Sequence, residues 1–395
     1  MTTMAANAIQ DPQQQRDPAA LGPRLPRLRL DPILTLAALG LSGASLLTLN
    51  GLSHSQMVRQ GAFLGVGAVL MLVISRFDYS RLRELKWGLY ALLIVAILVV
   101  LGAGRSNGVS TRAINFSSFS FESSEVGKVL LIVFLAAFVV DSSRKTSSRQ
   151  MVARVVLLAL IPTMLVIVEP DLGSALVYVS VAFAVLYIAG VHWHHLAAVF
   201  ALGIAALAVV LIVGPMVGFH TYQSERLTAF LDPGAIPASK VQGAIYQQKE
   251  SLWAIGAGQK FGMGAAASHN AINFVPVSST DFIFAALAER FGFAGAAVVL
   301  SLYALIVWRT LRIIAASKNL FGALIAAGVV AMLLFQVFVN VGVAVDILPV
   351  TGVTLPLMSY GGSSVLTTFL ALGLLQSIHA QARMAAATKG RVLSI

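Results

Sequence analysis

The feature that most constrains this chain is a series of apolar runs, most of them about 18 residues or longer, the length that a helix needs to cross a bilayer. The composition agrees, because 58% of the 395 residues are hydrophobic and only 11% are charged, whereas about a quarter of the residues in a soluble domain are charged. The sequence therefore predicts an all-α, polytopic membrane protein with about ten transmembrane helices. The predicted spans are residues 32–50, 59–75, 87–104, 125–141, 153–168, 172–190, 196–213, 281–308, 321–344 and 363–382.

These spans predict a chain with three parts. Residues 1–30, rich in Gln, Pro and Arg, are expected to form a disordered cytosolic tail, and residues 31–383 the ten-helix membrane domain. Residues 384–395 are expected to form a second cytosolic tail. The connection 214–280, between the seventh and eighth spans, is predicted to be a large extracellular loop. The chain has no Cys, which excludes disulfides and thiolate metal sites.

The distribution of basic residues predicts the orientation in the membrane. Of the 27 Lys and Arg residues, 18 lie in the first tail, in the connections 76–86, 144–154 and 309–318, and at the C-terminal end from Arg383 onward. Because basic residues near span ends favour the cytoplasm, both termini are predicted to be cytoplasmic. The net charge of +11 then reflects topology, and a nucleic-acid partner is not expected.

Several charged residues fall at the outer ends of spans, where burying a charge costs roughly 2.5–3.5 kcal/mol. Glu125 and Lys128 lie three residues apart, on one face of the fourth span. They form either a self-satisfied ion pair or a Lys aimed into a cavity and held by Glu125. Asp171 precedes the sixth span, and Thr280 and Asp281 precede the eighth; these positions suit helix N-caps as well as functional groups.

The segment "DILPVTGVTLPLMSYGGSSVL", 346–366, contains two Pro, a Gly-Gly pair and several hydroxyls between two spans. Non-helical backbone at this depth is tolerated only where protein or a water-filled cavity surrounds it, so the segment is predicted to line a polar cavity. Its small residues would let a phosphate or a sugar approach the backbone. The four selected are Ser359, Gly361, Gly362 and Ser363. Arg112, in an outer connection, is either a phosphate clamp or a solvated loop residue.

Taken in order, the motifs resemble one family, the SEDS peptidoglycan polymerases, which is the group of RodA, FtsW and SpoVE. The most specific stretches are "NFVPVSSTDFIFAALAERFGFAG" and "LPVTGVTLPLMSYGGSSVL". The stretches "STRAINFSSFSFESSEVGKVLLI" and "EPDLGSALVY" also match. The resemblance covers the chain after residue 30 and is greatest to the RodA branch. It implies a SEDS-type fold.

The resemblance implies that the chain polymerises lipid II into glycan strands at the outer face of the bacterial cytoplasmic membrane. It also implies a role in cell elongation and a class B penicillin-binding protein as partner. Asp281 matches the family's essential Asp, which is taken as the general base acting on the acceptor hydroxyl. Arg112, Glu125, Lys128 and Asp171 match positions in the family's cavity. With Thr280 and the four small residues, these form the predicted substrate-binding set.

The pyrophosphate leaving group needs positive charge, which Arg112 and Lys128, or a divalent cation such as Mg²⁺ or Mn²⁺, would supply. The sequence names no certain cofactor. Two other functions use the same residues. A lipid II flippase would need the polar cavity but no base, and a scaffold would only recruit the penicillin-binding protein. A division or sporulation polymerase, similar to FtsW or SpoVE, is a further alternative.

The sequence departs from the family's usual pattern at several positions. Ala113 replaces a usual Trp, and "ESSE", 122–125, replaces "QPSE". Val277 stands where a Glu is common, Arg290 changes "AEE" to "AER", and Asp346 replaces a small residue. Ala113 and Val277 flank the predicted site, so an effect on substrate binding or rate is expected, although Asp281 itself is retained.

Overall fold

The structure is a computed structural model, which describes residues 30–106, 113–116, 119–143, 146–216, 244–264 and 278–392. Arg112, Val277 and the first predicted tail up to residue 29 lie outside these ranges, as does much of the predicted 214–280 loop.

The described chain is almost entirely helical. The helices are α1 (Pro32–Leu52), α2 (His54–Arg76), α3 (Lys86–Ser106), α4 (Ser123–Ser142), α5 (Ser148–Val168), α6 (Leu172–Ile188), α7 (Trp193–Met216), α8 (Ala244–Gly258), α9 (Ile283–Ala316), α10 (Leu320–Ala344) and α11 (Gly362–Val392). A short 3-10 helix, Tyr79–Arg83, precedes α3. A two-stranded antiparallel hairpin, β1 (Ile114–Phe116) and β2 (Phe119–Phe121), precedes α4.

Each of the ten predicted spans coincides with one of these helices, and α8 is an additional helix inside the predicted loop. Within the described ranges, eight helices are long and apolar enough to cross a membrane, namely α1 to α5 and α9 to α11. The shorter apolar helices are α6 and the first part of α7. The prediction of an all-α polytopic membrane protein is confirmed.

The buried centre of the bundle consists of α4, α10 and α11. Of the apolar window in each span, 78% is buried in α4 and 83% in α11, but only 22% in α2 and in α3. Helix α11 packs along α2, α10 along α6, and α9 along both α1 and α10. Because a spanning helix satisfies its own backbone hydrogen bonds, the outer helices can present apolar side chains directly to lipid.

Two helices run beyond the predicted spans. Helix α9 continues to Ala316, so Arg309 and Arg312 of the predicted connection 309–318 lie on a helix. Helix α11 continues to Val392, past the predicted boundary at residue 383. Hydropathy marks where apolar residues end, but Lys, Arg and Ala are good helix formers, so a helix can continue into water.

Helix α9 is broken at Gly292, which has a non-helical backbone with φ of 65°. The turn that follows α8 fills this break. The Phe293 N–H donates to the Gln259 carbonyl at 2.9 Å, and the Ala294 N–H donates to the Lys260 carbonyl at 3.0 Å. These bonds satisfy the amides that the break would otherwise leave without partners. We call this contact the α8–α9 junction. The junction fixes the segment of α9 before Gly292, which begins beside Asp281.

Candidate active site

The predicted site residues that the structure describes lie at or near the starts of four helices, α4, α6, α9 and α11. Side-chain hydrogen bonds join these ends. Ser124 Oγ of α4 donates to Asp171 Oδ2 before α6 at 2.9 Å, and Ser363 Oγ of α11 donates to the Ser120 carbonyl of β2 at 2.6 Å. Each helix N-terminus carries a partial positive charge, so their convergence favours an anionic group.

Glu125 and Lys128 form the predicted ion pair. Lys128 Nζ lies 2.7 Å from Glu125 Oε1, and the side chains are only 1% and 5% exposed respectively. Thr354 Oγ1 donates to the same carboxylate oxygen at 3.3 Å and lies 2.9 Å from Ser364 Oγ. The ion pair, which both alternatives include, is confirmed, and contact of Lys128 with a ligand stays a prediction. The pair connects α4 to the 346–366 segment, and Lys128 faces Glu125 rather than solvent.

Asp171 caps α6, as the sequence predicts. Its Oδ1 accepts from the Ser174 N–H at 3.0 Å, while Oδ2 accepts from Ser124. The neighbouring Gly173 allows close packing against the 346–366 segment, because a Cβ there would lie 2.4 Å from Val353 Cγ2. The start of α6 is therefore fixed against both α4 and that segment.

The alternative in which Thr280 or Asp281 caps the eighth span is wrong. The N-cap of α9 is Phe282, which makes no side-chain capping bond, and the two predicted residues lie in the turn before it. This turn is held instead by Asn340 of α10, whose Nδ2 donates to the Asp281 carbonyl at 2.9 Å and to the Val353 carbonyl at 2.8 Å. One amide thus fixes the backbone of Asp281 and of the 346–366 segment together.

Ser359 provides a second connection to the same turn. Its Oγ donates to the Thr280 carbonyl at 2.6 Å and accepts from the Leu355 N–H at 2.8 Å. Gln60 of α2 donates from Nε2 to the Ser359 carbonyl at 3.0 Å and accepts from the Gly361 N–H at 3.3 Å. Ser359 therefore holds the backbone beside Asp281, a supporting role that the sequence did not assign to it, while Gln60 holds Ser359 and Gly361 against α2.

The carboxylate of Asp281 belongs to the same cluster of charges. Burial, together with the negative charges of Glu125, Asp171 and Asp281, raises the pKa of Glu122, the residue before α4, to about 8, while Lys128 opposes this rise. Charges act on one another in this way only at short range. The carboxylates of Glu125, Asp171 and Asp281 and the ammonium of Lys128 therefore lie near Glu122.

Glu169 is a member of this region that the sequence analysis missed. It is fully buried, and Ser123 Oγ donates to its Oε1 at 2.9 Å. Its Oε2 has no hydrogen-bond partner among the described residues. Burial raises the pKa of Glu169 to about 8, and the charge of Asp171 adds to the effect. The signal was available, because Glu169 meets the same criterion of a charge at membrane depth that selected Asp171.

Within the described residues, no group of three or more His, Cys, Asp or Glu is arranged to hold a metal ion. Mg²⁺ is commonly bound through one or two carboxylates together with substrate phosphates rather than by an all-protein cage. The expected divalent cation, like the role of Arg112, therefore stays a prediction.

A family model described as "Cell cycle protein", covering FtsW, RodA and SpoVE, matches residues 31–384. The chain belongs to the FtsW/RodA/SpoVE family. The probable peptidoglycan glycosyltransferase FtsW of Thioalkalivibrio sulfidiphilus is 36% identical over 375 residues, which is 89% of this chain and 90% of that protein. The peptidoglycan glycosyltransferase MrdB of Escherichia coli K12 is 32% identical over 367 residues, 91% of this chain and 95% of that protein.

A solved structure also matches this member of the FtsW/RodA/SpoVE family. It is described as "Structural coordination of polymerization and crosslinking by a peptidoglycan synthase complex". The match has a TM-score of 0.73 and 31% identity, and it covers 90% of this chain and 99% of the other. The family and the SEDS-type fold that the sequence predicts are both confirmed.

The residues that depart from the usual family pattern lie at different places in the structure. The Arg290 guanidinium lies against the end of α1, where a Cβ on Gly51 would come within 1.6 Å of Nη1. Asp346 is exposed at the end of α10, and Ala113 is partly buried just before β1. Glu122 lies in the charged cluster itself. With a pKa of about 8, its carboxyl is mostly protonated at neutral pH, so it is uncharged like the Gln that it replaces.

Proposed function

We propose that this chain, a peptidoglycan glycosyltransferase like its named relatives, polymerises lipid II into glycan strands with Asp281 as the general base. The observation that carries the proposal is the fixed turn before α9. The Asn340 bond holds the backbone of Asp281 among the starts of four helices, beside the buried Glu125–Lys128 pair. A carboxylate held in place suits the removal of a proton, and the helix N-termini around it suit the release of an anion.

The reaction is a displacement at the anomeric carbon of the donor sugar. Asp281 accepts the proton of the acceptor hydroxyl as its oxygen bonds to that carbon. The bond between the carbon and the pyrophosphate oxygen breaks, and undecaprenyl pyrophosphate leaves with the electron pair. General-base catalysis of this kind contributes about 10²–10⁴-fold to the rate. The rigid turn supports it, because a fixed base does not have to be oriented during the reaction.

The leaving pyrophosphate is stabilised mainly by the helix starts. Lys128 is 1% exposed and already bonded to Glu125, so it contributes positive charge from inside the bundle rather than by direct contact. Four helix N-termini add their partial charges at the site. Arg112 and a divalent cation remain the candidates for direct contact with the phosphate oxygens.

The site lies at the end of the bundle opposite the basic connections, which supports a location at the outer face of the cytoplasmic membrane, with both termini cytoplasmic. A donor on a lipid carrier must also enter from the bilayer. Helix α2 packs on α11 and α1, whereas α3 packs on α4 and α5. Both expose apolar side chains such as Val66, Val69, Val95 and Val99. This arrangement supports lateral entry beside α2 and α3.

The deciding experiment is polymerisation of labelled lipid II by the purified protein. The parent enzyme should make glycan strands. Asp281→Asn should lower the rate by about 100-fold or more, with an unchanged melting temperature. Asp346→Asn is the matched control, because it makes the same acid-to-amide change at an exposed position outside the cluster, and it should retain the parent rate. Near-parent activity of Asp281→Asn would reject this residue as the base.

The same protein in liposomes separates the polymerase from the flippase. Lipid II translocation without strand formation would favour a flippase. The matched solved structure concerns a peptidoglycan synthase complex, which supports a class B penicillin-binding protein as partner. Assays with the cognate partner should therefore show a higher rate, and parallel assays with EDTA should show whether a divalent cation is required.

The proposed cellular role is elongation, in keeping with the RodA-like motifs. The 36% identity to an FtsW favours division as the second candidate. Depletion in the source bacterium distinguishes them, since loss of rod shape indicates elongation and filamentation indicates division.

A further inference from the structure

A second feature lies away from the charged cluster, in the half of the bundle that carries the basic connections. A groove of about 360 Å³ opens between α9 and α10. Its walls are aliphatic and aromatic, and its one hydroxyl, from Tyr303, already donates to the Pro356 carbonyl at 2.5 Å. Among the lining residues are Leu300, Val307, Trp308, Leu333, Leu334 and Val337. An apolar groove on the outside of a membrane helix pair is suited to hydrocarbon rather than water.

The groove ends beside a cation. Trp308 is 44% exposed, and the guanidinium carbons of Arg309 and Arg312 lie 5.9 and 5.5 Å from its ring centroid. Arg309 is paired with the buried Asp31. Arg312 is exposed, and within the described part of the chain its side chain makes no ion pair or hydrogen bond with another residue. Its guanidinium therefore keeps its donors available at the mouth of an apolar groove.

We propose that this groove binds one acyl chain of an anionic phospholipid, whose phosphate is bound by Arg312. The planar guanidinium matches phosphate geometry with two parallel hydrogen bonds, and Trp commonly lies at the level of lipid headgroups. Basic pockets between transmembrane helices on the cytoplasmic side recognise anionic headgroups in the same way. The assignment rests on the contrast with Arg309. Of these two residues, Arg312 is the one without a counter-charge in the described part of the chain. The site is independent of the proposed reaction.

The chain's own tryptophans allow a direct test. Four Trp are present, and replacing Trp87, Trp193 and Trp253 by Phe leaves Trp308 as the single fluorophore. This protein is reconstituted with phosphatidylglycerol or phosphatidylcholine carrying brominated acyl chains, which quench Trp on contact. We expect about fivefold tighter binding of phosphatidylglycerol, the preference that one cation contributes at a membrane surface.

Two variants in the same background identify the source of the preference. Arg312→Gln should abolish it, whereas Arg149→Gln, which removes an exposed charge from α5 on the same predicted side, should retain it. Val337→Phe, which narrows the groove, should reduce quenching by both lipids.

Equal quenching by the two lipids in the parent would overturn the proposal and indicate ordinary annular lipid. Loss of the preference in both Arg variants would also overturn it, because the effect would then come from the overall surface charge. A melting curve for each variant verifies that the comparison is made on folded protein.

Discussion

At the scale of single residues, buried charges of the cluster are stabilised by an opposite charge rather than by exposure to water. Glu125 and Lys128 are almost fully buried, and each is the other's counter-charge. The interior gives a paired charge little net stability but penalises an unpaired one heavily. Glu125 also accepts a hydrogen bond from Thr354, so the pair connects the 346–366 segment to α4.

Lys128→Met should therefore lower the free energy of unfolding by about 3–5 kcal/mol, because Glu125 would remain buried without a cation. The double variant Glu125→Gln/Lys128→Met should recover much of this loss, since no buried charge remains. Chemical denaturation in detergent measures both. A single variant as stable as the parent would contradict the structural role of the pair.

The raised pKa values of Glu122 and Glu169 predict a pH dependence of stability. Each carboxyl has a folded-state pKa of about 8 against an ordinary value of 4.5. Between these values the folded protein keeps protons that the unfolded chain releases, so stability should fall as the pH rises and level off above about pH 8. Glu122→Gln should flatten this fall when denaturation is repeated across the range. Parallel curves for variant and parent would contradict the assignment.

At the scale of elements, the α8–α9 junction is built from backbone contacts that only Gly permits. A Cβ on Gly258 would lie 2.0 Å from the Ala288 carbonyl oxygen, and one on Gly262 would lie 2.2 Å from the Arg290 carbonyl oxygen. In the middle of α8, Ser251 Oγ donates to the Ala344 carbonyl of α10 at 2.8 Å. Helix α8 thus connects α10 with the part of α9 that begins beside Asp281.

Gly258→Ala should force this junction apart and reduce the polymerisation rate by up to about 100-fold, the cost of displacing a catalytic group by about 1 Å. Gly256→Ala is the matched control, because a Cβ there has nothing within 4 Å. It should keep the parent rate and be slightly more stable, since Ala is the better helix former. Equal rates for both variants would show that the junction does not position Asp281.

At the scale of the whole molecule, separate networks hold the two ends of the bundle. At one end Asn340 and Ser359 fix the turn before α9. At the other, the fully buried Asp31 caps α1 and is bonded by Arg309 of α9 and by the side chain of Gln376 of α11. The proposed reaction should therefore depend on the first network, while the second joins α1, α9 and α11.

This separation predicts different effects for one substitution at each end. Arg309→Met should lower stability by about 3 kcal/mol or more, because Asp31 loses its cation, yet leave the KM for lipid II unchanged. Asn340→Ala should lower kcat, because the Asp281 turn loses its amide donor. It should lower the free energy of unfolding by less than Arg309→Met does. Polymerisation kinetics and denaturation of the same samples measure both quantities. A changed KM in Arg309→Met would show that the ends are coupled.

The sequence by itself determined the all-helical class and the positions of the apolar helices, because a bilayer requires long apolar helices with internally bonded backbones. It also determined local features that depend on neighbours in the chain. The Glu125–Lys128 pair follows from a spacing of three on a helix, and the Asp171 cap from its place at a helix start. The family was identified from sequence motifs and from the order in which they occur along the chain.

Only the tertiary structure decided how Asp281 is held, because the responsible contacts join distant parts of the chain. Asn340 reaches the Asp281 carbonyl across 59 positions, and Ser359 reaches Thr280 across 79. The break at Gly292 needs α8 to fill it, and the burial of Glu169 depends on packing against α4. No local sequence pattern predicts these contacts, since they form only when separate apolar helices pack together.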